Sequence, residues 1–489
     1  MLRTRQSLRR ILTTALILLL ILAPAAQAVP AGDDVPAAAA RGVAYLRSVQ
    51  NADGGFPAQP GGKSDGLVTA WVTLALRAQG EDPGGAAWTK GGNTPLTFLL
   101  NDKEPWEATT DYARITLAVL AAGGNPHRVG GRDLPALIAL RQRPDGSFGT
   151  EAEEGLINAT VWSVLALEAA AGTTPRAAAV RTWLLNQQNE DGGFAYAGGL
   201  PSDVDNTAAA IQALVALGER GRPLGRALAF LRRARAENGA WTGFAGGPNV
   251  ASAAWGLQAL AASGEDPAAP PWTVNGAGPL AYVLSLQEKD GCFTYTPGVR
   301  SQPVWMTAQA LLGLSGLPFP VAAGFRDVPP GAPLAQAVHK LLKRRAVSGY
   351  SDFAFHPEDP LTRAQFAKLL VLSLSDEKVD PGAGPLPAAF ADVPAWAVPY
   401  VNAAAARERG WLQGVAPGRF APDEPVTGAQ VAAVLLRATG RGSAVPVTNP
   451  WYAGYVAAAR DAGLLWDGFS PLAPATRAQC VQALAALLP

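Results

Sequence analysis

The chain has 489 residues, of which 48% are hydrophobic and 16% are charged, and its formal net charge at pH 7 is +1. This length is enough for two to four domains, and the composition is not that of a disordered protein. The nearly balanced charge gives no long-range positive field, which argues against nucleic acid as a partner. The two cysteines, Cys292 and Cys480, lie in different halves of the chain and cannot build a thiolate metal cage.

The first 28 residues have the pattern of a secretory signal. A basic region that ends at Arg10 is followed by an apolar run over residues 11–22 and by Ala26-Gln27-Ala28, a small-x-small cleavage site. The apolar run is shorter than the roughly 20 residues that a membrane-spanning helix needs. We therefore predict a signal peptide over residues 1–28 and a secreted protein with no transmembrane segment after cleavage. An uncleaved membrane anchor is the alternative.

Residues 35–318 repeat a short glycine turn. Asp53-Gly54-Gly55-Phe56 is followed by similar turns at residues 145–148, 191–194, 238–241 and 290–293, at intervals of 92, 46, 47 and 52 residues. Because 92 is two periods of 46, one copy of the turn is expected to have degenerated, near Asn101-Asp102 and Trp106. A period near 50 residues indicates a repeat architecture.

Each turn separates two kinds of predicted helix. In both kinds, Leu, Ala and Val recur at steps of three and four residues, which is the periodicity of a helix. The helix after the turn is Ala-rich and almost uncharged around its circumference, so it is expected to be buried on all sides. Six such pairs predict an all-α fold, an (α/α)6 toroid with the apolar helices as its inner ring. An open solenoid is the alternative.

A different repeat fills the C-terminal part of the chain. Its elements are Phe-x-Asp-Val, Phe-x-Pro and Thr-x-Ala-Gln, and they predict helical units over residues 319–374, 386–440 and 446–489. A Gly/Pro-rich insertion at residues 380–387 separates the first two units. The threonine of each Thr-x-Ala-Gln element is placed as a helix N-cap, because its hydroxyl can accept from the backbone three residues on.

Both repeats resemble known families. The element Gln-x-x-x-Asp-Gly-Gly-Phe followed by an inner helix resembles the prenyltransferase and squalene-cyclase repeat, whose family fold is an α/α toroid. Cobalamin carriers and the β subunits of protein prenyltransferases share that fold. The three C-terminal units are similar to S-layer homology (SLH) domains, and this resemblance implies anchoring of an exported protein to secondary cell-wall polymer. Neither resemblance gives the activity of the toroid.

The SLH resemblance implies pockets between units that bind a pyruvylated sugar. In the family, the arginine of Thr-Arg-Ala-Glu and the early aspartate line these pockets, and the planar fork of an arginine suits a carboxylate. The residues at the matching positions are Asp327 and Arg363 in the first unit, Asp392 in the second, and Trp451 and Arg477 in the third. Gly428 replaces the arginine of the second unit, and the third unit has lost the Phe-x-Asp-Val start. We therefore expect at most one complete pocket. Surface charges on a helical spacer are the alternative.

The stretch Asp203-Val204-Asp205-Asn206-Thr207-Ala208 resembles the Asp-x-Asp-Asp-Thr-Ala element of squalene-hopene cyclases. There the middle aspartate protonates an alkene, which requires a carboxylic acid held protonated in an apolar cavity. The resemblance makes Asp205 the candidate general acid with Asp203 as its partner, while Asn206 replaces the last aspartate. The alternative, which we favour, is that these residues only begin an inner helix, because Asp, Asn and Thr are ordinary N-cap residues.

Three tryptophans of the inner helices, Trp71, Trp162 and Trp255, share one register. They could line a cavity, although such a stripe more often packs between helices, and we favour packing. Asp290-Gly291-Cys292 lies in a repeated turn, and His127, the toroid's only histidine, lies in a loop. The sequence therefore predicts no metal and no cofactor.

The sequence leads to two functional hypotheses. In the first, the chain is a cell-surface protein anchored to the pyruvylated glycan of the secondary cell-wall polymer, at the cell wall or S-layer. Its toroid is then a scaffold or binding module for a small apolar ligand, a corrinoid or another protein. In the second, the chain is an exported terpene-cyclase-like enzyme that uses Asp205 as general acid.

Overall fold

The computed structural model describes residues 34–488 except 244–245, 275–276, 322–323, 326, 330–331, 345, 348, 351–353, 375–389 and 407–409. The predicted signal peptide at 1–28 and the insertion at 380–387 lie outside these described residues. Within them, helices dominate, and a short two-stranded sheet pairs β1 (Phe56–Pro57) antiparallel with β2 (Ser64–Asp65). Among the described helices, none is long and apolar enough to cross a membrane.

Residues 34–314 form six helical pairs in which the inner helices make a closed ring. The outer helices are α1 (Asp34–Val49), α3 (Pro95–Asn101), α5 (Leu134–Ala139), α7 (Ala177–Asn186), α9 (Arg222–Arg233) and α11 (Pro279–Ser285). The inner helices are α2 (Gly66–Ala78), α4 (Thr109–Ala121), α6 (Ile157–Ala171), α8 (Val204–Ala216), α10 (Val250–Ser263) and α12 (Pro303–Leu314). Each inner helix packs against the next, and α12 packs back against α2. The predicted closed (α/α)6 toroid is confirmed, and the open solenoid is not formed.

In five of the six units, the repeated turn lies between the outer helix and the inner helix. Its aromatic residue is fully buried in five units: Phe56, Phe148, Phe194, Trp241 and Phe293. In four of them, the amide of that aromatic residue donates to a threonine hydroxyl of the following inner helix, as from Phe194 to Thr207 Oγ1 at 2.8 Å. The turn needs glycine, because Gly192 has φ of 88° and a Cβ there would lie 2.6 Å from the Arg226 carbonyl oxygen. The turn can form only with the glycine and the buried aromatic residue in place, and this explains why both recur in these units.

The second unit departs from this pattern. Residues 102–108 alone connect α3 to α4, whereas the other five connections between outer and inner helix contain 16 or 17 residues. Helix α4 begins without a cap from its own N-cap residue, Ala108. Instead Glu153 accepts from the amide of Thr109 at 2.8 Å and from its hydroxyl at 2.6 Å. Burial raises the pKa of Glu153, but the hydrogen bonds from Thr109 and Thr150 outweigh burial and lower it overall.

The C-terminal part contains three helical units around a common centre. Its helices are α13 (Pro333–Lys343), α14 (Arg363–Leu374), α15 (Val398–Ala405), α16 (Gly428–Ala438), α17 (Ala453–Asp461) and α18 (Arg477–Ala485). Three backbone bonds close a cycle among the units: Leu361 donates to Ala475, Ala475 to Val426, and Val426 to Leu361, at 3.2, 2.8 and 2.9 Å. Thr427 and Thr476 accept from the backbone three residues on, as capping boxes. Residues 446–488 are thus bonded to their neighbours in the same way as the two preceding units.

The joint, which is the segment around Leu317 and Phe319 that follows α12, connects the two parts of the chain and contacts the inner helices. Gln212 of α8 accepts from the amide of Phe319 at 2.8 Å, and Gln258 of α10 donates to the carbonyl of Leu317 at 3.3 Å. Phe319 is only 2% exposed. Through Leu317 and Phe319, the joint therefore packs against the inner helices α8 and α10.

Candidate functional site

The centre of the ring is an aromatic cluster. The indole centroids of Trp71 and Trp162 lie 5.5 Å apart, those of Trp162 and Trp255 5.6 Å, and those of Trp71 and Trp255 6.3 Å, all edge to face. Trp305 contacts Trp71 at 6.5 Å, and Phe319 of the joint lies 5.9 Å from Trp162. These are the distances of favourable aromatic pairs. The structure therefore brings the three predicted tryptophans together, and they pack on one another.

A cation that is partly exposed lies beside this cluster. The guanidinium carbon of Arg114 is 5.2 Å from the Trp71 ring and 5.3 Å from the Trp162 ring, within cation–π range. Asp111, one turn earlier on α4, pairs with Arg114 at 3.5 Å. Burial lowers the pKa of Arg114, and Asp111 opposes that shift. Among the described side chains, the rings and the guanidinium thus meet at the centre of the ring of inner helices, where Trp255 and Trp305 are partly exposed.

The residues of the cyclase-like element lie at the start of α8. Asp203 is its N-cap: its Oδ1 accepts from the amide of Asn206 at 2.8 Å, and its Oδ2 accepts from the side-chain amide of Asn206 at 2.8 Å. Asp205 is half-buried in the first turn of the helix. Asp203 and Asn206 are therefore brought together, and the asparagine that replaces an aspartate here serves as a donor to the cap.

In the C-terminal units, the two early aspartates hold a turn. Asp327 accepts from the amides of Phe355 and His356, both at 2.7 Å, and Asp392 accepts from the amides of Phe420 and Ala421 at 2.8 and 2.7 Å. The turn contains a left-handed residue in each unit, since φ is 54° at His356 and 58° at Ala421. Each carboxylate thus fixes a turn of its own unit through two charge-assisted hydrogen bonds.

The two arginines reach across to the next unit. Arg363 of the first unit is 3% exposed, and it donates to the carbonyls of Phe420 and Gln413 in the second unit, both at 2.8 Å. Arg477 of the third unit lies over the Tyr350 and Phe355 rings of the first unit, at 4.9 and 4.6 Å. The arrangement is cyclic, so each arginine belongs with the aspartate-bound turn of the following unit.

The sequence leads us to expect at most one complete pocket, but the cyclic pairing places an arginine beside an aspartate-held turn at two interfaces. Arg363 faces the turn held by Asp392, and Arg477 faces the turn held by Asp327. At the remaining interface Gly428 replaces the arginine, and the third unit has lost its aspartate. A Cβ at Gly428 would lie 2.4 Å from the Ser470 carbonyl oxygen, so no larger side chain fits there. Both losses fall on one interface, and the other two interfaces keep both residues.

An open pocket of about 290 Å³ lies where the first and third units meet. Arg477 and Tyr350 line it together with Gln365 and Lys368, which are exposed on α14. Trp396 of the second unit, 50% exposed, completes the lining.

Trp451, exposed to a similar degree, packs edge-on against Tyr452 and Tyr455. Sequence reasoning missed Tyr350, Lys368 and Trp396. The position of Trp396 just before α15, like that of Trp451 before α17, is the signal that could have found it.

Three potential metal donors, Glu288, Asp290 and Cys292, lie within 4.8 Å of one another. Arg300 already pairs with Glu288 at 2.6 Å and with Asp290. Burial raises the pKa of the Cys292 thiol to about 12, with a further contribution from Asp290, so the sulfur is a protonated thiol at neutral pH. In this structure the two carboxylates form an ion pair with Arg300.

Known proteins match the two parts of the chain separately. A family model described as the prenyltransferase alpha-alpha toroid domain matches residues 6–83 and 150–298, and the S-layer homology domain model matches residues 324–367 and 390–432. The third C-terminal unit is outside the matched residues, so its assignment as an SLH unit stays a prediction.

The curated relatives share only part of the chain. Drimenyl diphosphate synthase of Streptantibioticus cattleyicolor is 34% identical over 212 residues, which cover 40% of this chain and 38% of that enzyme. A cell surface protein of Thermoanaerobacter kivui is 36% identical over 149 residues, covering 30% of this chain and 19% of that protein. This chain thus spans well under half of either relative.

Among solved structures, the apo type II terpene cyclase MstE from Scytonema has a TM-score of 0.45 at 17% identity, covering 58% of this chain and 98% of that one. The assignment of the fold rests on the closed ring of inner helices and on the matches to the two family models. The chain thus joins a region that matches the prenyltransferase alpha-alpha toroid domain to two regions that match the S-layer homology domain.

Proposed function

We propose that this chain is a cell-surface protein whose SLH units bind secondary cell-wall polymer and thereby display the toroid at the wall. The observation that carries the proposal is the pocket at the meeting of the units, which combines two cations with exposed aromatic faces. The 36% identical relative is a cell surface protein, which supports the same location. Export through the N-terminal segment is part of the proposal.

The pocket has the chemistry that an acidic sugar needs. Arg477 and Lys368 supply positive charge for a carboxylate, such as that of a pyruvylated glycan. Burial lowers the pKa of Arg477, while Tyr350, Asp327 and Asp359 raise it, and an arginine keeps its charge at any physiological pH. Trp396 and Tyr350 present exposed faces on which a sugar ring can lie. The aspartates contribute to the pocket only indirectly, because Asp327 holds the turn that lies beneath the Arg477 side chain.

Replacing Lys368 or Trp396 with Ala is expected to weaken wall binding at least about tenfold, because a charge-assisted hydrogen bond or a sugar-stacking face is lost. Both side chains are exposed, so folding should be unaffected. The measurement is co-sedimentation of the purified protein with cell wall, at several wall concentrations. Chemical removal of pyruvate from the wall should have the same effect as Lys368→Ala.

Two matched variants control this experiment. Lys340→Ala removes an exposed lysine of α13 that lies outside the pocket lining, and it should sediment like the parent protein. Trp451→Ala removes the tryptophan that sequence reasoning favoured. Undiminished sedimentation of both pocket variants would contradict the proposed pocket. A loss confined to Trp451→Ala would place the glycan on the third unit.

A second candidate function is terpene cyclisation. The 34% identity to a drimenyl diphosphate synthase and the element Asp203-Val204-Asp205-Asn206 favour it. In this reading Asp205 is the general acid and Asp203 is its partner, as the resemblance implies. The filled axis of the toroid argues against it, because an isoprenoid would need to displace the indoles of Trp162 and its neighbours.

We expect no cyclic product when the purified protein is incubated with squalene and shorter polyprenes and the extract is analysed by gas chromatography–mass spectrometry. Product that disappears in Asp205→Asn would establish the enzyme and leave the toroid's display role unsupported. The matched control is Asn206→Ala, which removes a donor to the cap but no acid.

A further inference from the structure

The joint is buried although it links two parts of the chain. Phe319 is 2% exposed, and its ring centroid lies 5.9 Å from that of Trp162 and 6.3 Å from that of Trp255. Segments that connect domains usually run over the surface, where they are exposed and mobile. The burial of this connection therefore indicates a role beyond covalent linkage.

Two buried glutamines of the inner helices hold the main chain of the joint. Gln212 of α8 accepts from the amide of Phe319, and Gln258 of α10 donates to the carbonyl of Leu317. Both glutamine side chains are at most 1% exposed. A buried amide in an apolar ring is costly without a hydrogen bond, and the joint supplies one partner to each. The joint is thus bound as a peptide ligand is, with one aromatic side chain anchored and the main chain hydrogen-bonded beside it.

Further contacts bring the toroid and the first C-terminal unit together. The guanidinium of Arg77, near the end of α2, donates to the carbonyl of Val328 at 3.4 Å. Val321 and Leu342 pack against the hydrophobic cores of both parts. Among the described residues, the two parts therefore share a contact surface next to the joint. Docking of the joint sets the position of one part on the other.

The joint is held by few interactions and is flanked by flexible positions. Its two hydrogen bonds to the glutamines join neutral groups, and each such bond shifts an equilibrium by only roughly two- to tenfold. Gly316 and Gly324, at φ of 67° and 86°, lie on either side of Phe319. Small residues in connecting segments can absorb the dihedral changes of a hinge. Release of the joint should therefore cost less than opening the ring of inner helices.

We propose that the joint is a releasable strap. When docked, it covers Trp162 and Trp255 and holds the toroid in one orientation on the C-terminal units. When released, by rotation about Gly316 and Gly324, it uncovers these two indoles and lets the toroid turn relative to those units. The joint is then an intramolecular competitor of any apolar molecule that would contact the indoles from the same side. Because the contacts lie within the chain, the proposal does not depend on wall binding.

Limited proteolysis of the full chain with thermolysin, which cleaves before apolar residues such as Leu317 and Phe319, tests whether the joint is docked and releasable. At low protease concentration, the cleavage rate reports the population of the open form. We expect the joint to be cut at least about tenfold more slowly than a free peptide of residues 312–324, but sooner than the ring helices. Gln212→Leu removes the acceptor of the Phe319 amide but keeps the bulk, so it should accelerate this cut by about two- to tenfold. Phe319→Ala should accelerate it further, and mass spectrometry identifies the cut.

Gln309→Leu is the matched control. Gln309 is a third buried glutamine of the inner helices, and among the described residues it bonds neither Leu317 nor Phe319. Its replacement should leave cleavage of the joint at the rate of the parent protein. A parent joint that is cut as fast as the free peptide, or equal rates in Gln212→Leu and Gln309→Leu, would overturn the proposal. If Phe319→Ala is cut throughout the chain because it does not fold, the two glutamine variants decide.

Distance measurements test the orientation that the joint imposes. Spin labels at Arg181→Cys on α7 and Arg460→Cys on α17 occupy exposed positions of the two parts, whereas both native cysteines are fully buried. Double electron–electron resonance should give one narrow distance distribution for the labelled full chain. The distribution should broaden when Gln212→Leu and Gln258→Leu are added together. A distribution that is broad without these two changes, or that stays narrow with them, would contradict a strap that sets the orientation.

Discussion

Trp162→Ala is expected to destabilise the toroid by about 3–5 kcal/mol, the usual range for truncating a buried tryptophan to alanine. The indole is 5% exposed and contacts Trp71, Trp255 and Phe319 at centroid distances of 5.5–5.9 Å. Its loss also removes one of the two rings that flank the Arg114 guanidinium. Denaturation followed by far-UV circular dichroism measures the effect.

The same variant tests whether the axis of the toroid is packed core. Removal of the indole should leave an apolar cavity, so added indole should raise the midpoint of Trp162→Ala but not that of the parent protein. At ten times its Kd, indole should restore about 1.4 kcal/mol. Trp451→Ala removes an indole that is 51% exposed and should change stability by no more than about 0.5 kcal/mol. A loss below about 1 kcal/mol in Trp162→Ala would mean that the axis is an open, adaptable cavity, and a corrinoid or isoprenoid there would again be plausible.

The fold could be predicted from sequence because its determinants are local and repeated. The turn around Phe194 needs a glycine at positive φ, which recurs in five units, and a threonine that accepts from the backbone amide of the turn aromatic, which recurs in four of them. Helices apolar on every side can only be an inner layer. These patterns determine the number of helical pairs, their order and which helix of each pair lies inside.

The sites could not be predicted as fully, because they depend on contacts between units. Motif matching placed Arg363 with Asp327 in the first unit, whereas the cyclic arrangement places Arg363 against the second unit and Arg477 against the first. Nothing in a single unit indicates which neighbour its arginine reaches. Likewise, the degenerate turn near Asp102 is visible in the sequence, but the shortness of the connection there, residues 102–108, is visible only in the structure.

Arg363→Ala is expected to destabilise the C-terminal part by about 3 kcal/mol. The side chain is 3% exposed, and its Nε and Nη2 satisfy the carbonyls of Phe420 and Gln413, while its guanidinium carbon lies 4.6 Å from the Phe420 ring. Truncation leaves two buried acceptors without donors as well as a cavity between two units, and each effect alone costs about 1–3 kcal/mol. Urea denaturation of the full chain, followed by a probe in the C-terminal part, measures the loss.

Comparison with other variants separates this structural role from direct contact with glycan. Arg419→Ala removes an arginine that is 63% exposed and pairs with Glu424 at 3.3 Å, so it should cost less than about 1 kcal/mol. Arg363→Lys keeps the charge but loses the planar fork that reaches two carbonyls, and it should fall between the parent and Arg363→Ala. Wall binding should decline in parallel with stability across these variants, whereas Lys368→Ala should lose binding at full stability. An Arg363→Ala protein that is fully stable but no longer binds wall would instead make Arg363 a glycan ligand, as motif matching implied, and the cyclic interface would then not be what holds the units together.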